Sequence, residues 1–170
     1  MIEKSKSSRG QTMVEFAFIM VLLFLFIMGI LEWSIILYDK AILTDACREG
    51  AREGILYRAD PASDFDDAPL IAGQIRNAIN NHLHDRLVTY GTPFNPASDV
   101  IIGWDWDPPV HEGDPIDEWE TNPIIHGGRL GVQVNFRYRY LALRAFAGVL
   151  GGGMGDGTLT LSARSIMRME

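Results

Sequence analysis

The stretch from Phe16 to Leu31 carries no charged or strongly polar side chain, and it constrains the chain more than any other feature. After a single interruption at Glu32 the apolar character resumes through Trp33, Ile35, Ile36, Leu37 and Tyr38. A helix rises ~1.5 Å per residue and needs about 20 mostly apolar residues to cross a bilayer core. Residues 14–38 meet that length, with Glu15 and Glu32 as the anomalies. Lipid offers the backbone no hydrogen-bond partners, so a spanning segment has to be helical. A removable signal peptide would start in the same way. However, no small-x-small cleavage site followed by a break appears, and the helical pattern runs on.

The carboxylate at the start of the run separates a plain anchor from something more specific. A charged, unpaired Glu15 inside a membrane costs a few kcal/mol, so it calls for a partner. Just upstream lies a short basic leader, with Lys4, Lys6 and Arg9 set against Glu3 and ending at Gly10. Cleavage after Gly10 would make Gln11 the new amino terminus and Glu15 its fifth residue. The new ammonium could then pair with Glu15 of a neighbouring copy, which offsets part of the desolvation of both charges.

These residues carry a family resemblance. Gly10, then Glu15 and Phe16 ahead of an apolar helix, resembles the type IVb prepilin processing motif. The longer set Arg9-Gly10-Gln11, Val14-Glu15-Phe16-Ala17, Gly29-Ile30-Leu31-Glu32 and Ala46-Cys47-Arg48-Glu49-Gly50-Ala51-Arg52 is similar to the TadE-like minor pseudopilins of the Tad (Flp, type IVb-like) pilus. The motif covers about the first third of the chain. Many relatives carry a proline early in the apolar run; Ile19-Met20-Val21 has none, which favours a straighter helix. The resemblance implies processing at Gly10, Gln11, Glu15 and Phe16 by a prepilin peptidase. It also implies a role as a structural assembly subunit beside other Tad pilins and pseudopilins and an inner-membrane assembly platform.

Charge divides the chain in two. Residues 1–59 carry seven basic and seven acidic side chains, so the whole net charge of −7 falls in residues 60–170. An acidic domain is not drawn to nucleic acid or to anionic headgroups. The basic leader places the amino terminus in the cytoplasm and the C-terminal domain across the membrane, in the periplasm of a two-membrane bacterium. The expected localisation is therefore a single-pass bacterial inner-membrane protein, with incorporation into an extracellular pilus as its further destination. The lone Cys47 cannot form an internal bridge; it reads as a small apolar packing residue, with an intermolecular disulfide as the sharper alternative.

The expected organisation is a leader (1–10), a long helix (11–59) with its transmembrane segment at 14–38, and an α+β domain (60–170). Beyond Tyr38 the helical spacing continues, and Ile42, Ala46, Gly50 and Gly54 share one face. This small-residue row permits close approach of another helix and also suits packing on the domain's own sheet. Glu15, Glu32, Ala46, Gly50 and Gly54 are the candidate helix-packing and assembly residues. The helix should fade near Tyr57, ahead of Asp60-Pro61. Residues 60–67 read as an acidic loop. A second helix follows through Leu70, Ile71, Ile75, Ala78, Ile79 and Leu83, with Leu87 one turn on and acidic residues at its start suited to the helix dipole.

Residues 98–106 read as a strand, and 129–140 and 158–169 alternate as half-buried antiparallel strands. Leu130, Val132, Val134, Phe136, Tyr138 and Tyr140 share one face, as do Leu159, Leu161, Ala163, Ser165 and Met167. Leu141 to Leu150 reads as a short apolar helix or turn near the membrane, and Gly151 to Gly157 as a flexible connection. Asp105 to Gly128 is acidic and proline-rich, with no basic residue before Arg129. Its oxygens at 105–120 make it a calcium candidate, but the spacing fits no EF-hand, and a solvated loop or partner surface is preferred. His82 and His84, two apart, point in different directions on a helix and do not suit zinc. No nucleophile elbow, phosphate loop, dinucleotide fingerprint, CxxC or HExxH occurs, so no enzyme class is indicated. The fold class expected is α+β, with a long N-terminal helix packed on a small antiparallel sheet in a pilin-like manner. The alternative to a pseudopilin is an unprocessed single-pass anchor that presents an acidic binding module.

Overall fold

The computed structural model describes residues 9–58, 68–88, 93–105, 115–116, 128–141 and 157–168. Its spine is α1, Arg9–Arg58, one uninterrupted helix of 50 residues that ends within a residue of the expected Tyr57. Two further helices, α2 (Ala68–Leu83) and α3 (Pro96–Asp99), precede three strands: β1 (Val100–Asp105), β2 (Arg129–Arg139) and β3 (Thr158–Arg168). The strands form one antiparallel sheet in the order β1-β2-β3.

Register follows from the period-two pattern, because a one-residue slip would turn every apolar side chain out of the core. Val100, Ile102 and Trp104 of β1 face Val134, Val132 and Leu130 of β2. Leu130, Val134, Phe136 and Tyr138 face Met167, Ala163, Leu161 and Leu159 of β3. This face carries the buried residues of β2 and packs with one side of α1 and the apolar stripe Ile71, Ile75, Ile79 and Leu83 of α2.

The buried side of α1 starts at Glu32 and continues through Ile36, Asp39, Leu43, Ala46, Cys47, Gly50, Ala51 and Gly54. The domain therefore takes hold of the helix inside the 14–38 stretch, not after it. Below Glu32 the helix stands almost bare: every residue from Gly10 to Phe24 is exposed, and only Leu25, Met28 and Gly29 are partly covered.

Several local expectations are corrected. The first turn of α2 holds no acidic residue; Asp66 and Asp67 precede it and, with the 60–67 loop, lie outside the described residues. The helix stops at Leu83, short of Leu87, because Asp85 adopts φ 63°, a left-handed conformation that ends helices. The first strand, expected from 98, starts at Val100, since Pro96–Asp99 is a short helical turn. There Asn95 Oδ1 accepts from the Ala97 amide and Pro96 occupies the first turn. The apolar segment 142–150, the linker 151–156 and most of the acidic 105–128 stretch lie outside the described residues.

Candidate functional site: the bare helix and its junction with the domain

Fourteen large apolar side chains between Met13 and Leu31 are exposed, among them Met13 at 78% and Phe18 at 74%. Burying each would be worth roughly 1.5–3 kcal/mol, so this surface represents roughly 20–40 kcal/mol of unrealised apolar transfer. No folded monomer leaves that in water. Among the described residues, α1 is long and apolar enough to cross a membrane. Glu15 sits in this bare half, exposed, with its Oε1 accepting from Gln11 Nε2 one turn earlier at 3.2 Å. Gly10, Gln11, Glu15 and Phe16 thus stand together at the uncovered end of α1, with no part of the described domain against them.

Glu32 is different. It is 3% exposed, and its Oε1 accepts from the Leu141 amide at 2.5 Å, where the chain leaves β2. A carboxylate that looked available for assembly is engaged within its own chain. Seven residues on, Asp39 is wholly buried and its Oδ1 accepts from the Val88 amide at 3.0 Å. Its Oδ2 has no hydrogen-bond partner. Burial pushes the Asp39 carboxyl above its ordinary range, and the Val88 N–H offsets part of that. Next to it, Lys40 Nζ donates to the Ser162 carbonyl. Cys47 Sγ donates to the Ala163 carbonyl at 3.3 Å. The Cys47 thiol is fully buried, and that burial pushes it up to about 12, which keeps it protonated and poorly reactive. Four polar side chains of α1 therefore bond to backbone of β3, the end of β2 and the segment after α2, and so fix the domain on the helix.

The small-residue row holds a helix, and the helix is α2 of the same chain. A Cβ on Gly50 would lie 2.6 Å from Ile79 Cγ1, and one on Gly54 2.7 Å from Ile75 Cδ1 and Leu130 Cδ2. Ala46 is fully buried on the same face. This face of α1 is occupied within the monomer.

Asp105, the first acid of the 105–128 stretch, is fully buried at the cross-strand position opposite Arg129. The pair is bonded at 2.6 Å, so Asp105 is part of the sheet. His82 lies 3.5 Å from Arg86 and His84 2.9 Å from Asp85, so the two histidines do not converge. Among the described residues no group of three or more His, Cys, Asp or Glu side chains gathers.

The sequence reading missed Asp39, although a signal was present. Glu32, Ile36, Asp39, Leu43, Ala46 and Gly50 recur at alternating steps of four and three, so an acid stood on the buried stripe. The Asp105–Arg129 pair carried a weaker signal, opposite charges flanking one loop.

Residues 10–52 match the family model described as TadE-like protein. No curated protein and no solved structure matches the chain. The matched stretch runs from the glycine at the foot of α1, through the bare half and Glu32, to the row that seats α2. Over this helix the chain is similar to TadE-like proteins.

Proposed function

We propose that this chain is a minor pseudopilin, cleaved after Gly10 by a prepilin peptidase and built into a Tad-type pilus assembly through its bare helix. The observation that carries this reading is the division of α1. Its domain-facing side is filled from Glu32 upward, while the half bearing Glu15 meets none of the described residues of the domain. In a bilayer that half serves as an anchor. Beside a second such helix it serves as a packing surface, with Glu15 and the Gln11 ammonium of a neighbour as the one charge pair that sets register. Pairing matters there because a lone carboxylate in a low-dielectric medium is costly, and two compensated charges less so. The domain stands on the periplasmic side, and the partners are other Tad pilins and the inner-membrane platform.

The test is the intact mass of the membrane form from cells with and without the cognate peptidase. A chain that begins at Gln11 only when the peptidase is present supports the reading. Gly10→Glu should then leave full-length chain in the membrane, and Glu15→Leu should abolish assembly without loss of membrane insertion. A chain that starts at Met1 in both cells would refute processing and favour the unprocessed anchored module.

A further inference from the structure

The domain as a whole is acidic, yet its few basic residues are sorted. Of the eight arginines after residue 60, five lie on the sheet face turned away from the core: Arg129, Arg137 and Arg139 on β2, Arg164 and Arg168 on β3. Arg129 is committed to Asp105. Where the others stand along the molecule follows from two rulers.

Leu130 packs at Gly54 and the Leu141 amide bonds Glu32, so β2 runs down α1 toward the bare half. From Gly54 to Glu32 the helix covers ~33 Å, and from Leu130 to Leu141 an extended strand covers ~37 Å. The two lengths agree, and Cys47 beside Ala163, the register partner of Val134, falls at the intermediate level on both. Arg139 and Arg137 therefore stand only ~7 and ~14 Å above Leu141, whereas Arg164, whose register neighbour is Gln133, stands ~27 Å above it.

The lower level is the end of the uncovered apolar helix. Trp33 and Tyr38 are 60% and 51% exposed around α1, and the Leu141 side chain is 52% exposed. Aromatic side chains of this kind belong at the headgroup level of a bilayer. The headgroup region is ~5–7 Å thick on each side, within reach of Arg139 and, with its side chain extended, of Arg137. The α1 acids at this level, Glu32 and Asp39, are buried, with their carboxylates turned into the junction. The exposed acid at that end of α2, Asp85, lies against His84.

We propose that the foot of the domain, formed by Arg137, Arg139 and Leu141 with Trp33 and Tyr38 of α1, rests on the anionic phospholipid headgroups of the bilayer that α1 enters. This inference rests on the reading of α1 as a membrane helix. The net charge of the domain argued against such contact, but the register places arginine where the domain is nearest to lipid. Seated in this way, the domain would stand at a fixed height and tilt before assembly lifts it away.

The experiment uses the full chain in vesicles of phosphatidylcholine, alone or mixed with phosphatidylglycerol, with single fluorophores in a Cys47→Ala background. A label at Leu22 should be quenched by lipids brominated in the acyl chain in both vesicles. A label at Leu141 should be quenched by headgroup-quencher lipids, more strongly with phosphatidylglycerol, and a label at Arg52, ~30 Å higher, should not. Arg137→Ala and Arg139→Ala should each reduce the anionic preference of the Leu141 label by ~5-fold. Quenching at Leu22 with none at Leu141 would overturn the foot and leave the membrane helix intact. Equal quenching at Leu141 in both vesicles would overturn the role of the arginines. An unquenched Leu22 would overturn the membrane reading itself, and this inference with it.

Discussion

The close approach of α2 to α1 makes a prediction with a defined sign. Glycine inside a helix normally costs about 1 kcal/mol relative to alanine, so Gly→Ala at an unconstrained helical site stabilises. Gly73 in α2 is such a site, because a Cβ there meets nothing within 4 Å. Gly50 is not: its Cβ would lie 2.6 and 2.7 Å from Ile79 Cγ1 and Cδ1 and 3.4 Å from Ile75 Cγ2. Both isoleucines are fully buried, and the nearer contact, Ile79 Cγ1, is not the free end of its side chain. Overpacking of this kind costs ~1–3 kcal/mol, which exceeds or cancels the propensity gain. Gly50→Ala should therefore lose up to ~2 kcal/mol, while Gly73→Ala gains up to ~1 kcal/mol. Gly54→Ala should fall between them, because its nearest atoms are the terminal methyls of Ile75 and Leu130.

The assay is urea unfolding of the full chain in mild detergent, followed by the near-ultraviolet circular dichroism of the buried Trp104, Phe136 and Tyr138. A double-mutant cycle isolates the clash. Ile79→Ala alone should cost ~2–5 kcal/mol, and the double variant Gly50→Ala/Ile79→Ala should cost less than the sum by ~1–3 kcal/mol, the relieved overlap. Strict additivity, or a Gly50→Ala chain as stable as Gly73→Ala, would refute the claim that this row seats α2.

Two further predictions concern the buried titratable groups above the junction. The folded-state value of Asp39 lies above 3.8, so the fold binds this proton more tightly than the unfolded chain does. That contribution is fully present below pH 3.8 and is lost as pH rises through the raised value; in Asp39→Asn the unfolding midpoint should lose this part of its pH dependence, and an unchanged profile would count against a buried, titrating Asp39. Cys47 should resist a thiol reagent at neutral pH in the native chain and react fully in denaturant; native reactivity or a Cys47-linked dimer would contradict its burial.

Most of the frame was legible because local patterns carry it. The alternation in β2 and β3 placed their buried faces correctly, since a strand with one wet face has to alternate. The length of α1 and its end were legible from an unbroken helical spacing up to Asp60-Pro61. What was not legible depends on long-range contact. Glu32 looked like an assembly residue because nothing local announces that the Leu141 amide, 109 residues away, satisfies it. The Gly50–Gly54 row announced a helix neighbour, but a sequence pattern states the size of a groove and not which helix fills it. Ser98 and Asp99 were absorbed into the strand although Asn95-Pro96 is a helix-start signal, because the following β-branched run is the stronger pattern.

The junction at Glu32 also bears on Glu15. If the domain's foot stays outside the hydrocarbon, the bare residues 10–31 are what remains to cross, a length of ~33 Å that matches a ~30 Å core. The span then shifts toward the amino terminus relative to 14–38, and Glu15 lies ~7 Å along the helix from Gly10, just inside the apolar edge. A carboxylate at that depth can still reach the interface, so the helix inserts without a prohibitive cost. It is nonetheless poorly solvated there, and the bond from Gln11 satisfies only part of it. Such a helix is stable as an anchor and more stable beside a partner that supplies a cation at the same depth. A freshly exposed Gln11 ammonium, four residues from Glu15, supplies one if the neighbour stands about one turn higher. On this reading, cleavage after Gly10 does more than remove a leader: it creates the charge that makes association of two bare helices favourable.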